Sequence, residues 1–193
     1  MEVRDTQPRS GITQWLVRWR EGDPDAIEHL THLVYSELRY LAAAMLRDER
    51  NSRTLQPTAL VHELYLHLDG ARGIDWKCRG QFFAISAKVM RRILLDRARR
   101  RLAAKRNAGD FVAIEGEALA VRGPDIIQVN AALGRLAREH PRQAAVVELR
   151  FFGGLTAEET VEALNADGES VSLRTVERDW KFSRAWLESE IAP

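Results

Sequence analysis

A chain of 193 residues with 45% apolar and 30% charged side chains can bury a core beneath a charged surface, which fits one or two globular domains. No apolar run approaches the ~18 residues of a membrane span, and the opening MEVRDTQPRSG lacks the apolar stretch of a signal peptide. A single cysteine, Cys78, excludes an internal disulfide framework and suits a reducing cytoplasm.

Nearly every segment carries helical period, and no convincing alternating strand is present, so the expected class is all-α. Ile12, Trp15, Leu16 and Trp19 form one stripe that ends near Gly22. Pro24 opens a long helix with Ile27, Leu30, Val34, Leu38, Leu41 and Met45 turned inward. After a break at Asn51–Gln56, Pro57 suits the first position of a third helix, where its missing N–H costs nothing. That helix is expected to reach about Leu68. A loop from Asp69 to Gly80 follows, holding three glycines, Trp76 and Lys77.

The stretch from Lys77 to Arg106 holds eleven Lys and Arg against one acid, Asp96, a net charge of +10 in a protein whose total is +1. Everything outside it therefore sums to −9. On a helix, Phe82, Ile85, Val89, Met90 and Ile93 gather on one side, while Lys88, Arg91, Arg92 and Arg99 project from the other. Ordinary solvated faces mix their signs. This one does not, and it reads as the electrostatic footprint of a nucleic-acid binder. Cys78 lies among these cations, which would favour its thiolate, although a packed thiol is the simpler reading.

From Asn107 to Asp125 the periodicity collapses, with Gly109, Gly116, Gly123 and Pro124 as punctuation, and this segment reads as a flexible linker. A second helical set begins at about Ile126, with breaks near Pro141, at Gly153–Gly154 and across Asn165–Ser170. Thr156 and Glu159 have the spacing of a capping box. The final two helices read as a helix-turn-helix, whose second member lays its first residues in the major groove. On that last helix Val176, Trp180 and Leu187 share one side; Arg174, Arg178 and Lys181 share the other, beside Glu177. Arginine suits bidentate contact with guanine edges, and Lys181 suits phosphate.

One enzyme-like string needs weighing. His62-Glu63-Leu-Tyr-Leu-His67 departs from the zinc motif H-E-x-x-H by one extra residue, and residues five apart on a helix diverge by about 140°. No further ligand cluster supports a metal site, and no phosphate-binding or nucleophile motif is present. Neither a cofactor nor enzymatic chemistry is expected.

Four strings, TLQPTALVHELYLHL, FFAISAKVMRRILLDRAR, VVELRFFGGLTAEET and TVERDWKFSRAWL, occur in this order. Together they resemble an extracytoplasmic-function sigma factor of bacterial RNA polymerase, in the branch controlled by Ser/Thr kinases. The resemblance runs from about residue 11 to the end. It implies a sigma two-like domain over 11–106, a linker over 107–125 and a sigma four-like helix-turn-helix domain over 126–193. The implied partners are core polymerase and promoter DNA, both as duplex and as unpaired non-template strand. No membrane is involved. The helix Thr58–Leu68 would dock on the polymerase clamp through Thr58, His62 and Glu63, with Leu60, Leu64 and Leu68 inward. Trp76 and Lys77 would lie in the loop that captures a flipped base, which is read by stacking and edge contacts; the competing role for Trp76 is a ring that plugs the core. The helix Gln81–Arg101 would grip the minus-ten region through Lys88, Arg91, Arg92 and Arg99. Ser172, Arg174, Thr175, Arg178 and Lys181 would read the minus-thirty-five duplex. A free-standing helix-turn-helix regulator would explain the DNA-binding parts but not the apolar docking helix.

Two features depart from the family. Six residues, Asn165–Ser170, separate Leu164 from Val171, a turn roughly five residues longer than usual; this costs little stability but bears on how the reading helix is aimed. The docking helix also starts Gln56-Pro57-Thr58-Ala59-Leu60, with no acid before Glu63 where the family usually carries several. Phosphorylation of Thr58 would restore that charge. Whether a kinase or a separate anti-sigma protein controls the factor stays open at this point.

Overall fold

Leu16 and Trp19, on one face of α1 (Ser10–Arg20), are the first side chains that the fold buries. α2 (Ala26–Arg47) brings Leu30, Val34, Leu38 and Leu41 to meet them, and α3 (Pro57–Leu68) adds Leu60, Val61, Leu64 and Leu68. Such spacings place one stripe of each helix inward, and each fully buried leucine contributes roughly 1.5–3 kcal/mol relative to exposure. Pro57 is the first residue of α3, as its chemistry predicts. The computed structural model describes residues 10–47, 55–68, 74, 76–107 and 126–191, and among these the chain is helical with no strand.

α4 (Arg79–Asn107) is the axis of the molecule; at 1.5 Å per residue its 29 residues span about 43 Å. It starts two residues before the expected Gln81 and continues past Arg101, so Gly80 belongs to its first turn rather than to the preceding loop. The reason is a close approach. A Cβ at Gly80 would lie 2.7 Å from Leu155 Cδ2 and 3.2 Å from the Ala163 Cβ, so only glycine lets the helix start against that surface. Of the segment expected as a linker, only Asn107, the last residue of α4, is described; 108–125 lie outside the described residues.

The second set of helices comprises α5 (Ile126–Glu139), α6 (Pro141–Val147), α7 (Ala157–Ala166) and α8 (Leu173–Ile191). α6 runs straight into a π-helical segment, Glu148–Phe152, closed by the Gly153 N–H donating to the Glu148 carbonyl at 2.9 Å. The predicted capping box opens α7: the Glu159 N–H donates to Thr156 Oγ1 at 3.2 Å, and the Thr156 N–H donates to Glu159 Oε2 at 2.9 Å.

These helices pack on α4 as well as on one another. Phe82, Phe83, Met90, Ile93 and Leu94 share one continuous core with α1–α3 and with Val146, Leu149, Leu155, Leu164, Val171 and Val176. Ala87 instead joins a second cluster with Leu133, Leu136, Ala144, Val147 and Phe152. The small side chains Ala84, Ser86 and Ala87 let a second layer approach where a polar surface was expected. Hence α4 buries two faces here, not one.

Candidate nucleic-acid interface

α8 is held at both ends of its first turn and from behind. Ser172 caps it, its Oγ accepting from the Thr175 N–H at 3.3 Å and lying 3.0 Å from Thr175 Oγ1. The long turn before it is ordered by three devices. Gly168 takes a φ of +97°, which glycine alone adopts readily. The Glu169 N–H donates to the Leu164 carbonyl at 3.0 Å. Asn165 grips the Val171 peptide from both sides, its Oδ1 accepting at 2.9 Å and its Nδ2 donating at 3.2 Å. The six residues therefore form a built turn that fixes where α8 starts.

From behind, Asp179 anchors α8 to α6. Its carboxylate is 3% exposed and accepts from Arg142 Nε at 2.6 Å and from Gln143 Nε2 at 3.3 Å. The same hydrogen bond and charge hold the Arg142 guanidinium above its ordinary pKa. Ser183 Oγ donates to the Asp179 carbonyl at 2.7 Å. Neither residue was anticipated from the sequence, although the spacing Val176, Asp179, Ser183 puts both on the inward stripe. On the outward side Arg174, Arg178 and Lys181 are exposed, and with Ser172, Thr175 and Glu177 they line a shallow depression. Three cations stand on a capped, anchored helix, open to a ligand.

α4 presents a different picture. Lys88, Arg92 and Arg99 are exposed, as expected. Arg91 is not: its side chain is 13% exposed, with Nη1 donating to Asn130 Oδ1 at 2.9 Å and Nη2 to Glu148 Oε1 at 2.7 Å. Its guanidinium lies 5.1 Å from the centre of the Phe152 ring. Burial pulls its pKa below the usual arginine value, and Glu148 opposes that shift. Lys88 Nζ sits 2.6 Å from the other Glu148 oxygen. Lys77 is exposed, but its Nζ donates to the Ala166 carbonyl at 2.9 Å.

Trp76 takes the second of its two roles. The ring is 2% exposed, stacked on Trp19 at 5.8 Å and edge-on to Phe82 at 5.7 Å, so it has no face to offer a base in this arrangement. Glycine-bearing loops with one aromatic suit either role, and the nearby Trp19 decides it. Cys78 is likewise packed: burial raises its pKa, so the neighbouring cations do not produce a thiolate.

On α3, Thr58 is half-buried in a first turn without an acid, and His62 is exposed. Glu63 is not free as expected, because Arg97 of α4 pairs with it. Leu66, one turn beyond His62 on the same face, is 78% exposed, an apolar residue that the sequence pattern had not singled out. His67 Nδ1 lies 2.8 Å from the Glu63 carbonyl, and among the described residues no group of His, Cys, Asp or Glu is placed to hold a metal. None of the described helices is long and apolar enough to cross a membrane.

A basic axial helix beside an anchored helix-turn-helix with an open cationic face defines an all-helical nucleic-acid-binding protein. The chain belongs to the ECF sigma factor family, whose model matches residues 9–192. No match is found among curated proteins or among solved structures. Membership makes this an RNA polymerase sigma factor for transcription initiation, and it implies core polymerase and promoter DNA as partners.

Proposed function

We propose that the factor acts in the cytoplasm as two recognition units. The second, over 126–193, reads a minus-thirty-five duplex with α8. The first, over 11–106, docks on core polymerase through α3 and engages the minus-ten region through α4. The observation that carries the reading is the outward face of α8, where Arg174, Arg178 and Lys181 stand exposed on a helix capped by Ser172 and anchored by Asp179. Guanidinium groups in that setting suit the O6 and N7 acceptors of guanine. Exposed Lys88, Arg92 and Arg99 would follow phosphates, and His62 with Leu66 would make the outward ridge of α3.

Thr58 is the proposed switch. It lies in the first turn of α3, where exposed N–H groups and the helix dipole favour negative charge and no acid is present. A phosphate would bring about −1.5 to −2 charge and three acceptor oxygens. The kinase that adds it would thereby create a contact for a basic patch on the polymerase. A separate anti-sigma protein is not needed for this control.

The test is run-off transcription with purified core polymerase, comparing phosphorylated, unmodified, Thr58→Glu and Thr58→Ala proteins, with core binding measured in parallel. Tight binding and transcription by the phosphorylated form alone is expected. Thr58→Glu brings one charge and is an incomplete mimic. Full activity in unmodified protein and in Thr58→Ala would refute the switch and leave the sigma role standing. Absence of core binding in every form, with DNA binding retained, would favour a free-standing regulator.

A further inference from the structure

The basic helix is already occupied by groups of its own chain. Both oxygens of Glu148 are engaged by α4, one with Lys88 Nζ at 2.6 Å and the other with Arg91 Nη2 at 2.7 Å. Arg91 also bonds Asn130 and lies over Phe152, so three second-half residues enclose one guanidinium. At the start of α4, Arg79 pairs with Glu37 and, at 2.7 Å, with Glu159. Gln81 Nε2 donates to Asp167 Oδ1 at 3.1 Å, and Lys77 bonds the Ala166 carbonyl. Ala166 and Asp167 belong to the six-residue stretch that lengthens the α7–α8 turn, so its extra length is used to reach α4.

We propose that the second half of the chain holds α4 in a closed arrangement, its acids and carbonyls standing in for the phosphates that the same cations would contact in DNA. This rests on the role given above to α4. A carboxylate that accepts from a guanidinium and an ammonium at once makes the same charge-assisted bonds as a phosphate. A cation used in this way neutralises no phosphate and releases no counterion. The closure is selective. Arg174, Arg178 and Lys181 on α8 remain exposed, so the closed protein keeps its duplex-reading face and withholds the grip of α4. Engagement is therefore ordered: α8 can meet DNA first, and α4 follows once the seam parts. A competent state populated one-tenth of the time lowers apparent affinity about tenfold.

The test pairs a distance with an affinity. Spin labels are placed at exposed positions on the two halves, His32→Cys on α2 and Ala185→Cys on α8, with Cys78 left buried. Glu148→Gln with Glu159→Gln is compared with Glu28→Gln with Glu139→Gln, which makes the same charge change at exposed sites away from the seam. The seam pair should lengthen and broaden the label distance and should tighten binding of a short single-stranded DNA about tenfold; the control pair should do neither. An unchanged distance, or a gain in affinity equal to that of the control, would overturn the proposal. As a second variant, Glu148→Arg alone should open the seam, and Arg91→Glu added to it should restore the closed distance; a swap as open as the single change would also overturn it. The distance needs no polymerase, promoter or DNA, so a failed transcription assay would count against the proposed function and not against this contact.

Discussion

Asp179 and Arg178 are neighbours in sequence with opposite fates, one buried against α6 and the other exposed to a ligand. Arg142→Ala would leave the buried Asp179 carboxylate with Gln143 as its only remaining side-chain donor among the described residues. An under-satisfied buried acceptor costs about 1–3 kcal/mol. Chemical denaturation should register that loss, and Arg142→Lys should recover part of it. On the outer side Arg174→Ala or Arg178→Ala should relax preference at single base pairs by about 1–3 kcal/mol each, whereas Lys181→Ala should weaken all sequences alike. Binding to a panel of promoter variants separates these outcomes. If both arginines prove silent, α8 reads nothing. The outward cations were legible in the sequence because helical phase alone sorts them. The anchoring role of Asp179 was not, since an acid among arginines looks solvated until its position on the Val176 stripe is noticed.

At the level of elements, period and punctuation carried most of the information. Pro57, the Thr156–Glu159 box and the glycine breaks placed α3, α7 and the ends of the second set, because each acts through its own local backbone. α4 was legible as a basic helix, but which of its cations remain available was not, since helical phase says nothing of a partner sixty residues away. The structure narrows that choice. Arg92 and Arg99 are exposed, while Arg91 and Lys88 share Glu148. Changing Arg92 and Arg99 to Ala should therefore flatten the dependence of DNA affinity on salt, by roughly one log unit per log of salt for each lost phosphate contact. Titrations at several salt concentrations measure that slope, and an unchanged slope would move the DNA face off this end of α4.

Across the whole molecule, two separable halves were the natural reading of a broken pattern between two periodic ones. The halves meet along α4 instead, sharing the core that joins Phe82 and Leu94 to Leu155 and Val176. Long-range packing of this sort leaves no period in the sequence. The seam is also incomplete: an apolar crevice of about 950 Å³ lies between α2 and α8, lined in part by Tyr40, Met45, Trp180, Leu187 and Ile191, and Phe151 at its edge stays 59% exposed. For a packed body of this length the expected radius of gyration is about 16 Å. Small-angle scattering at low salt should come close to that value, and a clearly larger radius would mean that the halves are apart in solution.

The π-helical segment makes the joining of the halves a matter of phase. Its wider winding accommodates one residue more than an α-helix would in the same rise. With that residue present, Glu148 and Phe152 both reach Arg91, and Phe151 is left outside. Deleting one residue between them would return the segment to ordinary winding and swing everything after it by about 100° relative to α6. Phe152 would leave its place, and α7 would meet α4 at a different angle. The orientation of one half against the other is thus encoded as a count, in a single surplus residue of one helical turn.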